Sequence, residues 1–141
     1  MRYYIIASHG DLSESLLKSA EMILGKQARV YCIKVETSDG PEILESKIDK
    51  AFQSITGQDA ELIVLTDVLG GGITNLILKR IQTTKFRLIA GINLPFLLEL
   101  FTCRDEILTD EKMEVMVNQA RSNIVDVGKL IEEKRGGNKT K

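Results

Sequence analysis

Glu61-Leu62-Ile63-Val64-Leu65-Thr66 runs directly into Asp67-Val68-Leu69-Gly70-Gly71-Gly72, and Ile73-Thr74-Asn75-Leu76-Ile77-Leu78 follows. The opening run is unbroken, apolar and of strand length, the pattern of a strand covered on both faces rather than one with a face to water. An aspartate and a triple glycine end it, and helical spacing continues from Ile73 to about Ile81. Strand, glycine loop and helix in that order make one βα unit.

The same unit repeats upstream. Tyr3 to Ser8 reads as a buried strand closed by His9-Gly10-Asp11, and Leu12 to Leu24 as a helix with Leu12, Leu16, Leu17, Ala20, Ile23 and Leu24 on one face. Asp11 is expected to cap that helix with Glu14 as a capping-box variant, and Gly25 to close it in the left-handed conformation. Val30 to Val35 is a second strand. The turn Thr37 to Glu42 then leads into a helix carrying Leu44, Ile48, Ala51, Phe52 and Ile55 as far as Gly57. Downstream, Phe86 to Ala90 reads as a fourth strand, Phe96 to Phe101 as a short helix, and Asp110 to Arg121 as a helix with Met113, Met116, Val117 and Ala120 on one side. Asn123 to Val127 is expected as a short fifth strand. Gly136 to Lys141 has nothing to pack and is expected to fray, so residues 1–130 form the domain and 131–141 a polar tail or linker stub.

Composition agrees with this plan. The chain has 141 residues, 43% hydrophobic and 28% charged, which suits one domain. A domain of this length buries about 68–70% of the surface its unfolded chain exposes, enough for a core without metal or disulfide staples. Nineteen basic and 20 acidic side chains leave a formal charge of −1, which gives no general attraction to nucleic acid or to an anionic membrane. No run approaches the ~20 apolar residues of a membrane helix. Met1 to Ala7 is too short for a secretory signal, so a cytoplasmic protein without membrane insertion is expected. Cys32 and Cys103 lie in apolar segments and are expected as buried, reduced thiols. His9 is the single histidine, which excludes multi-histidine metal sites; no metal and no cofactor is expected.

Strands alternating with helices imply right-handed βαβ units and a mainly parallel, doubly wound α/β sheet with helices on both faces. In strand order 2-1-3-4, the first and third strands are neighbours where the winding reverses, and ligands bind outside the carboxyl ends of strands at such a point. Those ends are Ser8-His9-Gly10 and Thr66-Asp67, so topology places the histidine beside an aspartate. An imidazole at a strand tip can serve as base, ligand or nucleophile. A carboxylate on one ring nitrogen fixes the tautomer and leaves the other nitrogen its lone pair. The Gly70-Gly71-Gly72 loop can turn backbone amides inward to receive an anion. No Gly-Lys-Ser/Thr follows the glycines, so the Walker pattern is absent. The conjunction suggests phosphoryl transfer through phosphohistidine.

With these residues in view, the sequence resembles the enzyme IIA component of the mannose family (mannose, fructose and sorbose type) of the bacterial phosphoenolpyruvate-dependent sugar phosphotransferase system. The resemblance runs from about Tyr3 to Leu130. It is carried by Ser8-His9-Gly10, by Ala20-Glu21-Met22-Ile23-Leu24-Gly25, by Thr66-Asp67-Val68-Leu69-Gly70-Gly71 with Asn75, and by Ala90-Gly91-Ile92-Asn93-Leu94-Pro95. It implies that His9 accepts a phosphoryl group on Nε2 from phosphorylated HPr and passes it to a IIB component. Asp67 would bond the other ring nitrogen, and Thr66, Gly70, Gly71, Gly72 and Ile73 would contact the phosphate. Ser8 and Asn93 would line the site. It implies a homodimer in which Asn123 to Val127 crosses to the partner's sheet, and indirect, peripheral association with a membrane IIC/IID permease.

One departure stands out: the family's loop usually reads Asp-x-x-Gly-Gly-Ser-Pro-x-Asn, and here Gly72 and Ile73 replace Ser-Pro. A serine hydroxyl is lost, an amide at Ile73 is gained, and Thr74 is close in sequence. Val68, Leu69, Phe96 and Leu97 are expected as the apolar surface for docking partners. Three other readings stay open: a receiver-like domain phosphorylated on Asp67, a phosphotransfer subunit of a dihydroxyacetone kinase, and a non-enzymatic nucleotide or anion binder using the Gly70–Gly72 loop.

Overall fold

Four short β-branched and aromatic runs set the frame, and their period of two sends alternate side chains to opposite faces of one sheet. The computed structural model describes residues 1–139, with side chains to residue 136. The chain divides into two units, residues 1–106 and 107–141. In the first, β1 (Arg2–His9), β2 (Val30–Val35), β3 (Glu61–Thr66) and β4 (Arg87–Ala90) form a sheet of order β2-β1-β3-β4. All three pairings are parallel. The expected order and fold class therefore hold.

Between the strands come α1 (Leu12–Leu24), α2 (Pro41–Gln53), α3 (Gly72–Leu78) with a 3-10 turn at Lys79–Gln82, and α4 (Leu94–Thr102). Tyr3, Ile5 and Ala7 of β1 and Leu62 and Val64 of β3 face one way, packing with Ile48 and Ala51 of α2 and Ile73 and Ile77 of α3. Tyr4 faces the other way, its ring edge-on to Phe101 of α4 at 5.1 Å, and α1 lies beside α4 on that side. Each fully buried aliphatic or aromatic side chain contributes about 1.5–3 kcal/mol. The central strands are buried almost throughout, whereas β4 is half-buried along its length.

At the amino end of the sheet the buried Arg2 pairs with Glu61 at 3.0 Å. Its guanidinium also donates to the carbonyls of Cys103 and Arg104 at 3.0 Å and of Glu106 at 2.7 Å. This clamp fastens the start of β1 to the segment that follows α4.

Several local expectations change. Asp11 makes no side-chain cap; Lys34 draws its carboxylate away at 3.4 Å. Gly25 does take a positive φ, 86°, but with ψ 175° it is extended rather than left-handed helical. On α1 the fully buried positions are the small Ser13 and Ala20, while Leu12, Ile23 and Leu24 are exposed; the close approach of the helix is made through small residues. Both cysteines are thiols outside any disulfide and are partly buried, and burial pushes the Cys32 thiol up to about 11.

The second unit contains α5 (Asp110–Arg121) and α6 (Val127–Lys139). Thr109 caps α5 by accepting the Lys112 amide at 3.1 Å, with Met113 and Met116 buried. The expected strand at Asn123–Val127 is absent: residues 122–126 are irregular and α6 starts at Val127. A β-branched pair such as Ile124-Val125 makes a strand only with a neighbour to bond, and the sheet takes none of its four strands from this unit. The expected fraying is replaced by helix as far as Lys139, begun by Asp126, whose Oδ1 accepts the Lys129 amide at 3.1 Å. Thr140 and Lys141, the end of the expected tail, lie outside the described residues.

Candidate functional site

Ala7 of β1 pairs with Thr66 of β3, so the next residues of both strands, Ser8-His9 and Asp67, leave the sheet side by side. His9 is the last residue of β1. The chain turns at Gly10, whose φ of 58° suits glycine and whose amide donates to the Val35 carbonyl at 2.8 Å. Ser8 fastens the turn from below. Its buried hydroxyl accepts the Ser13 amide at 2.7 Å, taking over the capping task expected of Asp11, and donates to the Gly10 carbonyl at 3.4 Å. The turn carrying His9 is thus tied to β2 and to α1.

Asp67 reaches across to it. Its Oδ2 accepts the His9 backbone amide at 2.9 Å and lies 3.0 Å from His9 Nδ1. The imidazole is 57% exposed and the carboxylate 7%. Burial pushes the Asp67 carboxyl up, but the hydrogen bonds from the His9 amide and ring outweigh it and hold the group below the usual carboxylate range. An ionised carboxylate only accepts, so Nδ1 carries the ring proton and Nε2 keeps its lone pair on a largely exposed side chain. That is an oriented nucleophile or base.

The glycine loop closes against the ring. A Cβ on Gly71 would come within 3.7 Å of His9 Cε1, Gly70 has a φ of 78°, and a Cβ on Gly72 would meet nothing within 4 Å. Gly72, Ile73 and Thr74 open α3, so their amides have no carbonyl four residues back to bond. The Ile73 side chain is buried in the core, leaving its amide as its only polar group at this end.

The remaining expected residues divide. Thr66 is fully buried and its hydroxyl is hydrogen-bonded to that of Thr74 at 3.0 Å, so it braces the loop from within. Thr74, the neighbouring hydroxyl, is likewise committed, donating to the Val68 carbonyl at 2.8 Å. Asn93 sits at the end of β4, where its Oδ1 accepts the Phe96 amide at 2.9 Å and caps α4. Of the expected docking surface, Val68 and Leu69 are exposed, whereas Phe96 and Leu97 are buried because α4 begins earlier, at Leu94, and turns them inward. A charged group outside the expected set lies at the same end: Lys34, paired with Ser8 in the sheet register, is held above its ordinary value by Asp11 and Glu14 beside it.

Comparison with known proteins bears on this arrangement. The family model EIIA-man, described as PTS system fructose IIA component, matches residues 3–117. The chain belongs to this family. The fructose-specific EIIA component of Bacillus subtilis (strain 168) is 30% identical over 104 residues, 73% of this chain and 70% of that protein. The mannose-specific EIIAB component of Escherichia coli (strain K12) is 32% identical over 123 residues, 85% of this chain and 38% of that longer protein. The crystal structure of the phosphotransferase system component EIIA from Streptococcus agalactiae is 26% identical with a TM-score of 0.78, covering 92% of this chain and 99% of that one. As an EIIA-man chain it has, among the described residues, no helix long and apolar enough to cross a membrane.

Three parts of this arrangement escape a linear reading: the Ser8–Ser13 tie, the Thr66–Thr74 bond and the approach of Gly71 to the His9 ring, close enough that an added Cβ would lie 3.7 Å from it. The sequence signals for them are the small hydroxyl residues flanking each loop and the glycine run Gly70-Gly71-Gly72, which become meaningful once strand order is known.

Proposed function

We propose that His9 is the phosphoryl acceptor of a phosphocarrier in the sugar phosphotransferase system, loaded by phosphorylated HPr and discharged to a IIB component. The observation that carries the reading is the single Asp67 oxygen shared between the His9 amide and Nδ1. It sets the ring by two contacts and leaves Nε2 to react. In the transfer, the Nε2 lone pair attacks the phosphorus of the donor phosphohistidine in line. A new N–P bond forms as the donor's N–P bond breaks, and the donor imidazole leaves with its electron pair. Positive charge developing on the His9 ring is steadied by the Asp67 carboxylate. Amides from Gly70 to Ile73 receive the equatorial oxygens, and no hydroxyl from Thr66 or Thr74 is needed. Discharge to IIB repeats the step with His9 as the leaving group.

The carrier unit is taken as residues 1–130, working in the cytoplasm and reaching a IIC/IID permease only through IIB. Exposed Val68 and Leu69 beside the ring support docking of both protein partners at this end. A homodimer built by exchange of residues 123–127 belongs to the same proposal, supported by the exposure of Ile124 and Val125 and checked by sedimentation equilibrium. The receiver-like alternative is disfavoured because one Asp67 oxygen is bonded to His9 and the other is buried.

The test is label transfer from phosphoenolpyruvate through enzyme I and HPr. The wild type is expected to acquire acid-labile, alkali-stable phosphate, and His9→Ala none. Label retained in His9→Ala, or alkali-labile label on Asp67, would reject the proposal.

A further inference from the structure

One hydroxyl grips both chain neighbours of Asp67. Thr74 stands in the first turn of α3 and is 5% exposed. Its Oγ1 donates to the Val68 carbonyl at 2.8 Å and is hydrogen-bonded to the fully buried Thr66 hydroxyl at 3.0 Å. The residues on either side of Asp67, Thr66 by its side chain and Val68 by its backbone, are therefore fastened to the same atom, and that atom belongs to a helix seated in the core through Ile73 and Ile77. Between the two anchors, one Asp67 oxygen serves two donors, the His9 amide at 2.9 Å and Nδ1 at 3.0 Å. A small rotation of the carboxylate would favour one donor at the expense of the other.

We infer that Thr74 is a positioning residue for the His9–Asp67 pair, setting the ring's orientation and tautomer through the residues that flank the aspartate. The inference rests on the proposal that His9 accepts the phosphoryl group, and it adds a residue outside the reacting set. Thr74→Val keeps the size and branching of the side chain and removes only the hydroxyl, leaving the Val68 carbonyl and the Thr66 hydroxyl without it. The phosphorus is reached by Nε2, so the loss shows in the chemical step rather than in partner binding, for which misplacement by a fraction of an ångström costs roughly tenfold in rate.

The experiment compares wild type, Thr74→Val and Thr74→Ser for rate of phosphorylation by the HPr donor and for the ¹⁵N shifts of the His9 ring. Thr74→Val is expected to lower kcat roughly tenfold with donor KM within about twofold, and to move both ring nitrogens toward a tautomer mixture. Thr74→Ser is expected to restore rate and shifts. Wild-type kcat and shifts in Thr74→Val, with only the melting temperature lowered, would overturn the inference and leave the bridge a structural brace. If Thr74→Val does not fold, Thr66→Val, which removes one of the two anchors, carries the same reading: a partial loss in kcat with shifted ring nitrogens supports it, and no change refutes it. Label retained in His9→Ala would instead defeat the acceptor proposal, while the ring shifts still report whether Thr74 positions Asp67.

Discussion

Both β3 and β4 feed a helix through a short glycine-containing loop, yet the polar side chain of each loop is used differently. After β4, Asn93 turns back on its own chain, accepts the Phe96 amide and caps α4, with Pro95 in the first turn. After β3, Asp67 ignores the helix that follows it and bonds His9 on the neighbouring strand, and α3 begins at Gly72 behind Gly71, with no side-chain cap. Glycine at the cap position in place of such a side chain costs only roughly a few tenths of a kcal/mol. One loop completes its own backbone; the other leaves its amides open and spends its carboxylate on a second strand. That asymmetry sets the loop after β3 apart from the loop after β4 before any chemistry is assigned.

The strongest way to break this comparison is Asp67→Asn. An amide in place of the carboxylate has no charge to steady the ring and brings an NH2 donor that can face Nδ1 and favour the other tautomer, so phosphoryl transfer measured by rapid quench is expected to fall by about 10³–10⁴. A fall of less than about tenfold would show that the cross-strand bond does not distinguish the two loops. The matched change at the other loop, Asn93→Ala, is expected to cost about 1 kcal/mol in urea unfolding while transfer stays within about twofold. A loss of transfer comparable to that of Asp67→Asn would return Asn93 to the site.

The glycines sharpen the contrast. Gly70 and Gly91 have φ values of 78° and 73°, so alanine at either is expected to cost about 1–2 kcal/mol in stability. Only Gly70→Ala is expected to slow transfer as well.

Acid titration gives a smaller effect. The folded-state carboxyl of Asp67 lies below its ordinary 3.8, so its contribution is fully present above that value and is lost as the pH falls through the lower folded value. Below pH about 4 the wild type should therefore lose stability more steeply than Asp67→Asn, and parallel acid unfolding curves would contradict this. Smallest of all, Gly72→Ser is expected to change stability by under about 0.5 kcal/mol, because a Cβ there meets nothing within 4 Å. It returns the hydroxyl that the family's usual loop carries, and any gain in transfer would measure what that hydroxyl is worth.

Much of this was legible in one dimension. Val30–Val35 and Glu61–Thr66 were readable as strands because β-branched runs are bounded by turn residues, and strand order then brought His9 to Asp67. What stayed hidden depended on competition in space. Asp11 is a good capping residue by type, but Lys34 on the adjacent strand holds its carboxylate and the Ser8 hydroxyl bonds an amide in the first turn of α1. Phe96 and Leu97 face out only in a helix that starts at Phe96; with the start at Leu94, and each residue turned by about 100°, they face in. Ile124 and Val125 have strand propensity, and propensity becomes a strand only when an edge is offered to it.

Arg2 has a further consequence, for the order in which the chain assembles. Its guanidinium binds carbonyls as far along as Glu106, 104 positions away, and closing so long a loop is slow and entropically costly. On the ribosome the central strand β1 precedes the other three, and its charge can meet Glu61, yet the carbonyls that complete its clamp are missing until residues 103–106 have been synthesised. Nascent chains stalled before that point should remain sensitive to protease, and those stalled beyond it should acquire resistance in one step.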